Sequence, residues 1–415
     1  MMINRYIKQL TDKRIGYIFM SCALILILIN LIFHYFSYYV RYDEIYTLTL
    51  IKDTVPNIIH QCSLDVHPPL HYLIVKAFVS TGHLLHLPLT DKFLGDISST
   101  VPYLLLLVFS YKFLCKDIGV LGAGLFSFCM ISMPQMLLYA TDVRMYSWGM
   151  LFAVLSFYTA YKITLNNNKI YYFFIGFFTV LSLYTQYYVG ITVFSIYLLL
   201  FGYLSLYNNW IKIKRIILTG IISFGTFGFW IPSLISQVKY VSSSFWIAET
   251  TTDILYNFVL YFLSATKLGD TTSTVVYSPI GLDSLFLSIL IIVLGYISIK
   301  YLLDQGDVNS VIDKLKETNF LTFGFCIIFL VIILSFYASN IINKPILHVR
   351  YLVISIPLFW LSVSILISRL YKSNKQIFSV CLILLLIGGS ISTYYSFNTS
   401  YIQGVEVNSM TDALI

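Results

Sequence analysis

Arg41, Tyr42, Asp43 and Glu44 follow directly on the first long apolar run, and Asp65, Val66, His67, Pro68, Pro69 and Leu70 come soon after. In a chain that is 58% hydrophobic and 11% charged, acids beside apolar runs point to chemistry. A carboxylate can take a proton from a hydroxyl, and an arginine can hold an anion through several donors. Further along stand Asp142, Arg144 and Tyr146, then Gln186 and Tyr187 in a tyrosine-rich stretch, then His348, Arg350 and Tyr351 after Pro345. Each also has a plainer reading. Asp43 or Glu44 could cap a helix, Asp65 could belong to a turn, and Asp142 with Arg144 could be a local ion pair at a membrane edge. His67 is read equally well as a ligand or as an interfacial ring bonded to a carbonyl, the tyrosines as an interfacial belt, and Arg350 as a headgroup anchor. His71, His83 and His86 are read as interfacial wetting.

The elements that must position these residues are membrane helices. A mean hydropathy of +0.81 with 17% aromatics excludes a soluble domain. A bilayer core needs about 20 apolar residues per helix. Apolar runs of that length cover residues 15–36, 93–112, 118–138, 145–163, 170–186, 189–207, 215–238, 280–301, 319–339, 350–368 and 376–396. The expectation is an all-α polytopic membrane protein with about eleven spans, because lone strands would leave backbone groups unpaired in lipid. Residues 68–87 carry histidines and Lys76, and are expected to lie on or dip into the outer interface rather than cross.

Lys and Arg then collect on one side. Lys112, Lys116, Lys162, Lys169, Lys212, Lys214, Arg215, Lys300, Lys314, Lys316, Arg369, Lys372 and Lys375 fall in connections that the positive-inside rule makes cytoplasmic, together with the N-terminus. All the polar clusters named above fall on the opposite, extracytoplasmic side. The formal charge of +7 is loop bias, and no basic run is dense enough for nucleic acid. The six cysteines have no metal-ligand spacing and read as small apolar residues. The connector 304–318 reads as solvated, and the tail from 398 as polar and outer.

Taken in order, the acidic pair after helix one, the His-Pro-Pro-Leu before a juxtamembrane helix, the Arg-Met-Tyr of residues 144–146 and the late Arg350-Tyr351 resemble the GT-C membrane glycosyltransferases. The similarity is greatest to the protein mannosyltransferase and aminoarabinose transferase branch, glycosyltransferase family 39, over residues 10–240. It implies a GT-C-like bundle with amphipathic juxtamembrane helices in the first outer loop. It also implies transfer of a monosaccharide, with inversion, from a polyprenyl-phosphate donor to a glycan, lipid or protein acceptor on the outer face. By that resemblance Asp43 is the base and Glu44 orients the acceptor or a metal. Asp65, His67, Asp142, Arg144, Tyr146, Gln186, Tyr187, His348, Arg350 and Tyr351 are then the substrate-binding positions. Many relatives carry histidine where this chain has Gln186, which cannot titrate. No cofactor is assigned, and a divalent cation held by Glu44 with Asp142 is an open alternative.

The expected organisation is a catalytic core over 1–238, an outer loop over 239–279 with Trp246 and an amphipathic helix at 253–263, and a C-terminal membrane region over 280–415. The abundance of Ile, Asn, Lys and Tyr suits an AT-rich bacterial genome and undecaprenyl phosphate as carrier. Two other classes compete. A lipid-linked glycan flippase or other transporter would show paired halves with broken helices, and no internal repeat is visible. A polysaccharide polymerase would place its catalytic loop later in the chain.

Overall fold

The computed structural model describes residues 2–37, 40–244, 252–265, 281–303 and 308–412. Among these, every regular element is a helix. Seven helical stretches are long and apolar enough to cross a membrane: Asp12–Tyr35, Tyr187–Leu206, Trp210–Lys239, Leu282–Leu303, Phe320–Ile342, Val349–Ser373 and Lys375–Asn398. The chain is therefore read as a multi-pass membrane protein.

α1 (Met2–Tyr35) is the first of these spans. The short α2 (Tyr42–Leu50), α3 (Val55–Leu64) and α4 (Leu70–Leu84) follow, and α5 (Asp91–Phe109) leads back into the bundle. Pro68 and Pro69 separate α3 from α4, since neither proline has an N–H to continue a helix. At 15 residues α4 is too short to cross. It buries Tyr72, Val75 and Val79 and packs on α5, in keeping with a helix beside the membrane. One sequence expectation is corrected there: His71 is fully buried, because its turn of α4 faces the protein.

α6 (Cys115–Ser132) is broken at Gly119, whose φ of 82° lies in the left-handed region that glycine adopts without steric cost. Beyond the break, α6 crosses α1 at backbone distance. A Cβ on Gly124 would stand 2.2 Å from the carbonyl oxygen of Gly16, and one on Gly16 would stand 2.3 Å from that of Val120. Small residues at such crossings let helices gain close van der Waals contact in lipid. Gly124→Ala is expected to cost about 1–3 kcal/mol by forcing the two backbones apart, read as a lowered thermal midpoint in detergent.

α7 (Met136–Tyr139) lies within an irregular segment that runs to α8 (Tyr146–Leu165). Irregular backbone is tolerated at this depth only if protein groups satisfy it, and here they do. Tyr103 donates to the Met136 carbonyl at 2.7 Å, Asn30 to that of Leu137 at 3.2 Å, Thr100 to that of Ala140 at 2.9 Å and Ser99 to that of Asp142 at 2.6 Å.

The rest of the bundle is α9 (Lys169–Thr185), α10 (Tyr187–Leu206), α11 (Trp210–Thr226), α12 (Ile231–Ser244), α13 (Thr252–Leu263), α14 (Leu282–Leu303), α15 (Val308–Glu317), α16 (Gly324–Ile342), α17 (Ile356–Ser373) and α18 (Lys375–Asp412). The helix expected at 253–263 corresponds to α13, whereas Trp246 lies outside the described residues. Within the connector 304–318, Val308–Glu317 is helical. After 398 the chain continues α18 as helix to Asp412.

Four expected spans fall on α5, α6, α8 and α9, outside the seven. α5 carries Asp91, Lys92 and Asp96, α6 is interrupted at Gly119, α8 is rich in Ser, Thr and Tyr, and α9 has 17 residues.

Candidate functional site

The start of α2, the α3–α4 junction, the start of α8, the α9–α10 junction, the end of α16 and the segment before α17 meet around one space. A cavity of about 1050 Å³ lies there. Its wall includes Asp43, Asp65, His67, Arg144, Tyr146, Gln186, Tyr187, Arg350 and Tyr351. These positions are spread over three hundred residues of chain, and the fold brings them to one space. Glu44, Asp142 and His348 are nearby but do not line it.

Asp43 sits in the first turn of α2, where the helix dipole favours a carboxylate. Its side chain is 42% exposed, and its Oδ2 lies 2.9 Å from Nη1 of Arg350. Arg350 is held from its own side. The Nδ1 of His348 accepts from the Arg350 N–H at 3.2 Å, capping the short 3₁₀ turn Val349–Ser355. The neighbouring Tyr351 ring lies 4.6 Å from that of Tyr188, and the Tyr188 hydroxyl donates to the Ile346 carbonyl at 2.6 Å. His348 is thus a cap that sets the arginine.

Glu44 does not line the cavity. Its Oε2 accepts from the Arg41 N–H at 2.8 Å and its Oε1 from the Val143 N–H at 2.9 Å. It thereby caps α2 and ties that helix to the irregular segment bearing Arg144. Burial, with the nearby Asp142 charge, raises its carboxyl above the usual range, and the two N–H donors pull the other way. Asp142 pairs with Arg41 at 3.3 Å rather than with Arg144. Both Glu44 oxygens and Asp142 Oδ2 hold donors, whereas the buried Asp142 Oδ1 has no hydrogen-bond partner among the described residues. Among the described residues no three His, Cys, Asp or Glu side chains come together as metal ligands. Glu44→Gln replaces one acceptor oxygen with an amide donor that must face a backbone N–H. It is expected to destabilise the fold by about 1–3 kcal/mol, checked by thermal unfolding alongside donor affinity.

Arg144 is buried, and its Nη2 lies 3.1 Å from Nε2 of His67. A guanidinium can only donate, so Nε2 is the acceptor and the ring proton is on Nδ1. Burial, reinforced by the Arg144 charge, pushes His67 well below its ordinary value and keeps it neutral. Its Nδ1 has no hydrogen-bond partner among the described residues. The Arg144 Nη1 reaches the Asp43 carbonyl at 3.4 Å, and among the described residues its Nε has no partner. Among the described residues no carboxylate lies within ion-pair reach of Arg144. A buried guanidinium beside an open cavity, with acids near it but none in direct contact, is a ready anion seat.

Asp65 does not orient His67. The Tyr46 hydroxyl lies near Asp65, and burial raises the Asp65 carboxyl. Gln186 occupies the extended break between α9 and α10, buried, its Oε1 without a hydrogen-bond partner among the described residues. The Tyr187 hydroxyl donates to Gln237 and accepts from Trp230 Nε1 at 3.0 Å, and so braces α12 against the cavity wall. Gln237 in turn donates to the Cys62 carbonyl at 2.8 Å.

Sequence reasoning did not anticipate Arg41, Tyr46 and Gln237 in the wall, nor its apolar flank of Ile191, Phe194, Phe224, Leu334, Ala338 and Ile342. Gln237, a lone amide inside an apolar run, was the one available signal. The apolar flank follows the outer faces of α10, α11 and α16, and Phe194 is 41% exposed there. The cavity therefore has a charged head and an apolar side that borders the bilayer zone. Comparison with known proteins finds no family model, no curated protein and no solved structure that matches the chain.

Proposed function

We propose that this chain is a membrane glycosyltransferase of GT-C type that moves a monosaccharide from a polyprenyl phosphate, with undecaprenyl phosphate as the expected carrier, to an acceptor outside the cell. The observation that carries the reading is the division of one cavity into a charged head, with Asp43, His67, Arg144 and Arg350, and an apolar flank beside membrane helices α10, α11 and α16. A polyprenyl-phosphate sugar has that division: an anionic group and sugar at the interface, and a long apolar chain in the bilayer. In this reading α5, α6, α8 and α9 complete a bundle of about eleven crossings, and the Lys/Arg distribution places the cavity end outside.

The reaction is a single displacement. An acceptor hydroxyl oxygen forms a bond to the anomeric carbon while the carbon–oxygen bond to phosphate breaks. The hydroxyl proton passes to the Asp43 carboxylate, and the leaving polyprenyl phosphate takes the bonding pair. Arg144 and Arg350 stand where that developing charge needs cations. The neutral His67 offers its Nδ1–H to a phosphate or sugar oxygen. One displacement inverts the anomeric centre.

A photoreactive undecaprenyl phosphate tests the placement. Its chain should crosslink to α10 and α16 near Phe194 and Leu334, and excess unlabelled lipid should suppress the product. Labelling spread evenly over the other membrane helices would reject the cavity as the carrier site.

A further inference from the structure

Two arginines converge on residue 43 from distant parts of the chain. Arg350 holds the Asp43 carboxylate through its Nη1 at 2.9 Å, and Arg144 approaches the Asp43 carbonyl through its Nη1 at 3.4 Å. All three residues line the same cavity. An anion seated between the guanidiniums must compete with the Asp43 carboxylate for Arg350. The partners are unequally fixed. Arg350 stands on a turn capped by His348, beside Tyr351, whose ring packs at a tilt against that of Tyr188. Asp43 projects from the first turn of a nine-residue helix, and its side chain is the more exposed of the pair.

We propose that the Asp43–Arg350 ion pair is a latch that the donor's phosphate opens, so that the donor seats before Asp43 can accept a proton from the acceptor. The proposal rests on the glycosyltransferase reading above. Without donor, Arg350 holds the carboxylate oxygen that would take the proton. With donor seated, phosphate takes over Arg350 and Asp43 turns toward the acceptor. The sugar phosphodiester carries one negative charge, and the departing phosphate gains another as the anomeric bond breaks. Its hold on Arg350 therefore strengthens during the step in which Asp43 must be free. Sequestering the base in the empty enzyme also limits hydrolysis of a donor that has only partly seated.

The test is the affinity of undecaprenyl phosphate, measured on full-length protein in nanodiscs for wild type, Asp43→Asn, Arg350→Gln and the double variant. Removing the competing carboxylate should tighten binding about 3- to 10-fold in the Arg350 background, the scale of a half-exposed charge pair. In the Arg350→Gln background the same substitution should change affinity little. Unchanged or weaker binding by Asp43→Asn, with normal binding by wild type, overturns the latch and leaves the glycosyltransferase reading standing. An equal gain in both backgrounds also overturns it, because plain repulsion between Asp43 and phosphate needs no Arg350. Absence of binding to wild type overturns the underlying reading instead. If Arg350→Gln is not recovered folded, Arg350→Lys replaces it, and the Asp43→Asn gain should then be smaller than with Arg350 but not abolished; a full-size gain again overturns the latch.

Discussion

Asp43→Asn is expected to lower sugar transfer about 10²- to 10⁴-fold while the protein still inserts in the membrane and still binds undecaprenyl phosphate. Asparagine keeps the size of the side chain and an oxygen for Arg350, and it loses the capacity to take a proton. The drop should therefore appear in kcat more than in donor affinity. Near-normal transfer would remove Asp43 as base. Suspicion would then move to Asp65, which also lines the cavity. Glu44 is a poor substitute, since both of its oxygens are bound by backbone N–H groups.

Arg144→Ala should weaken donor binding and slow transfer together, with a combined loss of at least about 2 kcal/mol. Arg144 is buried beside the cavity and, among the described residues, has no carboxylate within ion-pair reach. A charge-assisted contact in a partly dry cavity is of that size. Truncation also releases His67 from its single orientation. Arg350 behaves differently because it already has Asp43. Arg350→Lys keeps the charge but loses the planar fork, and should retain part of the activity, whereas Arg350→Ala should lose both affinity and rate. Thermal unfolding of each variant separates these effects from misfolding. Donor affinity unchanged in Arg144→Ala would show that the buried guanidinium only braces His67 and α2.

The charged head of the cavity was legible because charge is scarce in this chain. Asp43, Asp65, His67, Arg144 and Arg350 stand out against apolar runs, and the structure sets all of them around one cavity. Their pairing was not legible. Arg41 to Asp142 and Glu44 to the Val143 N–H depend on how an irregular buried segment folds, and no local pattern announces it. The sequence suggested that Asp142 and Arg144 pair with each other because they are two residues apart, but the backbone between them turns their side chains to different partners. The apolar flank was invisible for another reason. Phe194, Leu334 and Ala338 look like any lipid-facing residue of a membrane helix, and only the tertiary arrangement shows that they border a cavity. His71 was misplaced by the same ambiguity, since a histidine on a short amphipathic helix reads as interfacial until its packing is known. The helix count depends on α5, α6, α8 and α9, whose polar residues and short lengths make them weak spans in isolation.

The most direct measurement is transfer itself, with purified protein in nanodiscs, a radiolabelled undecaprenyl-phosphate monosaccharide and a cell-envelope extract as acceptor. The predicted result is label in an acceptor with the anomeric configuration inverted, one free undecaprenyl phosphate released per sugar moved, and loss of both signals in Asp43→Asn. Movement of intact labelled lipid across the bilayer without cleavage of the sugar–phosphate bond, unaffected by Asp43→Asn, would contradict the account and make the cavity that of a transporter.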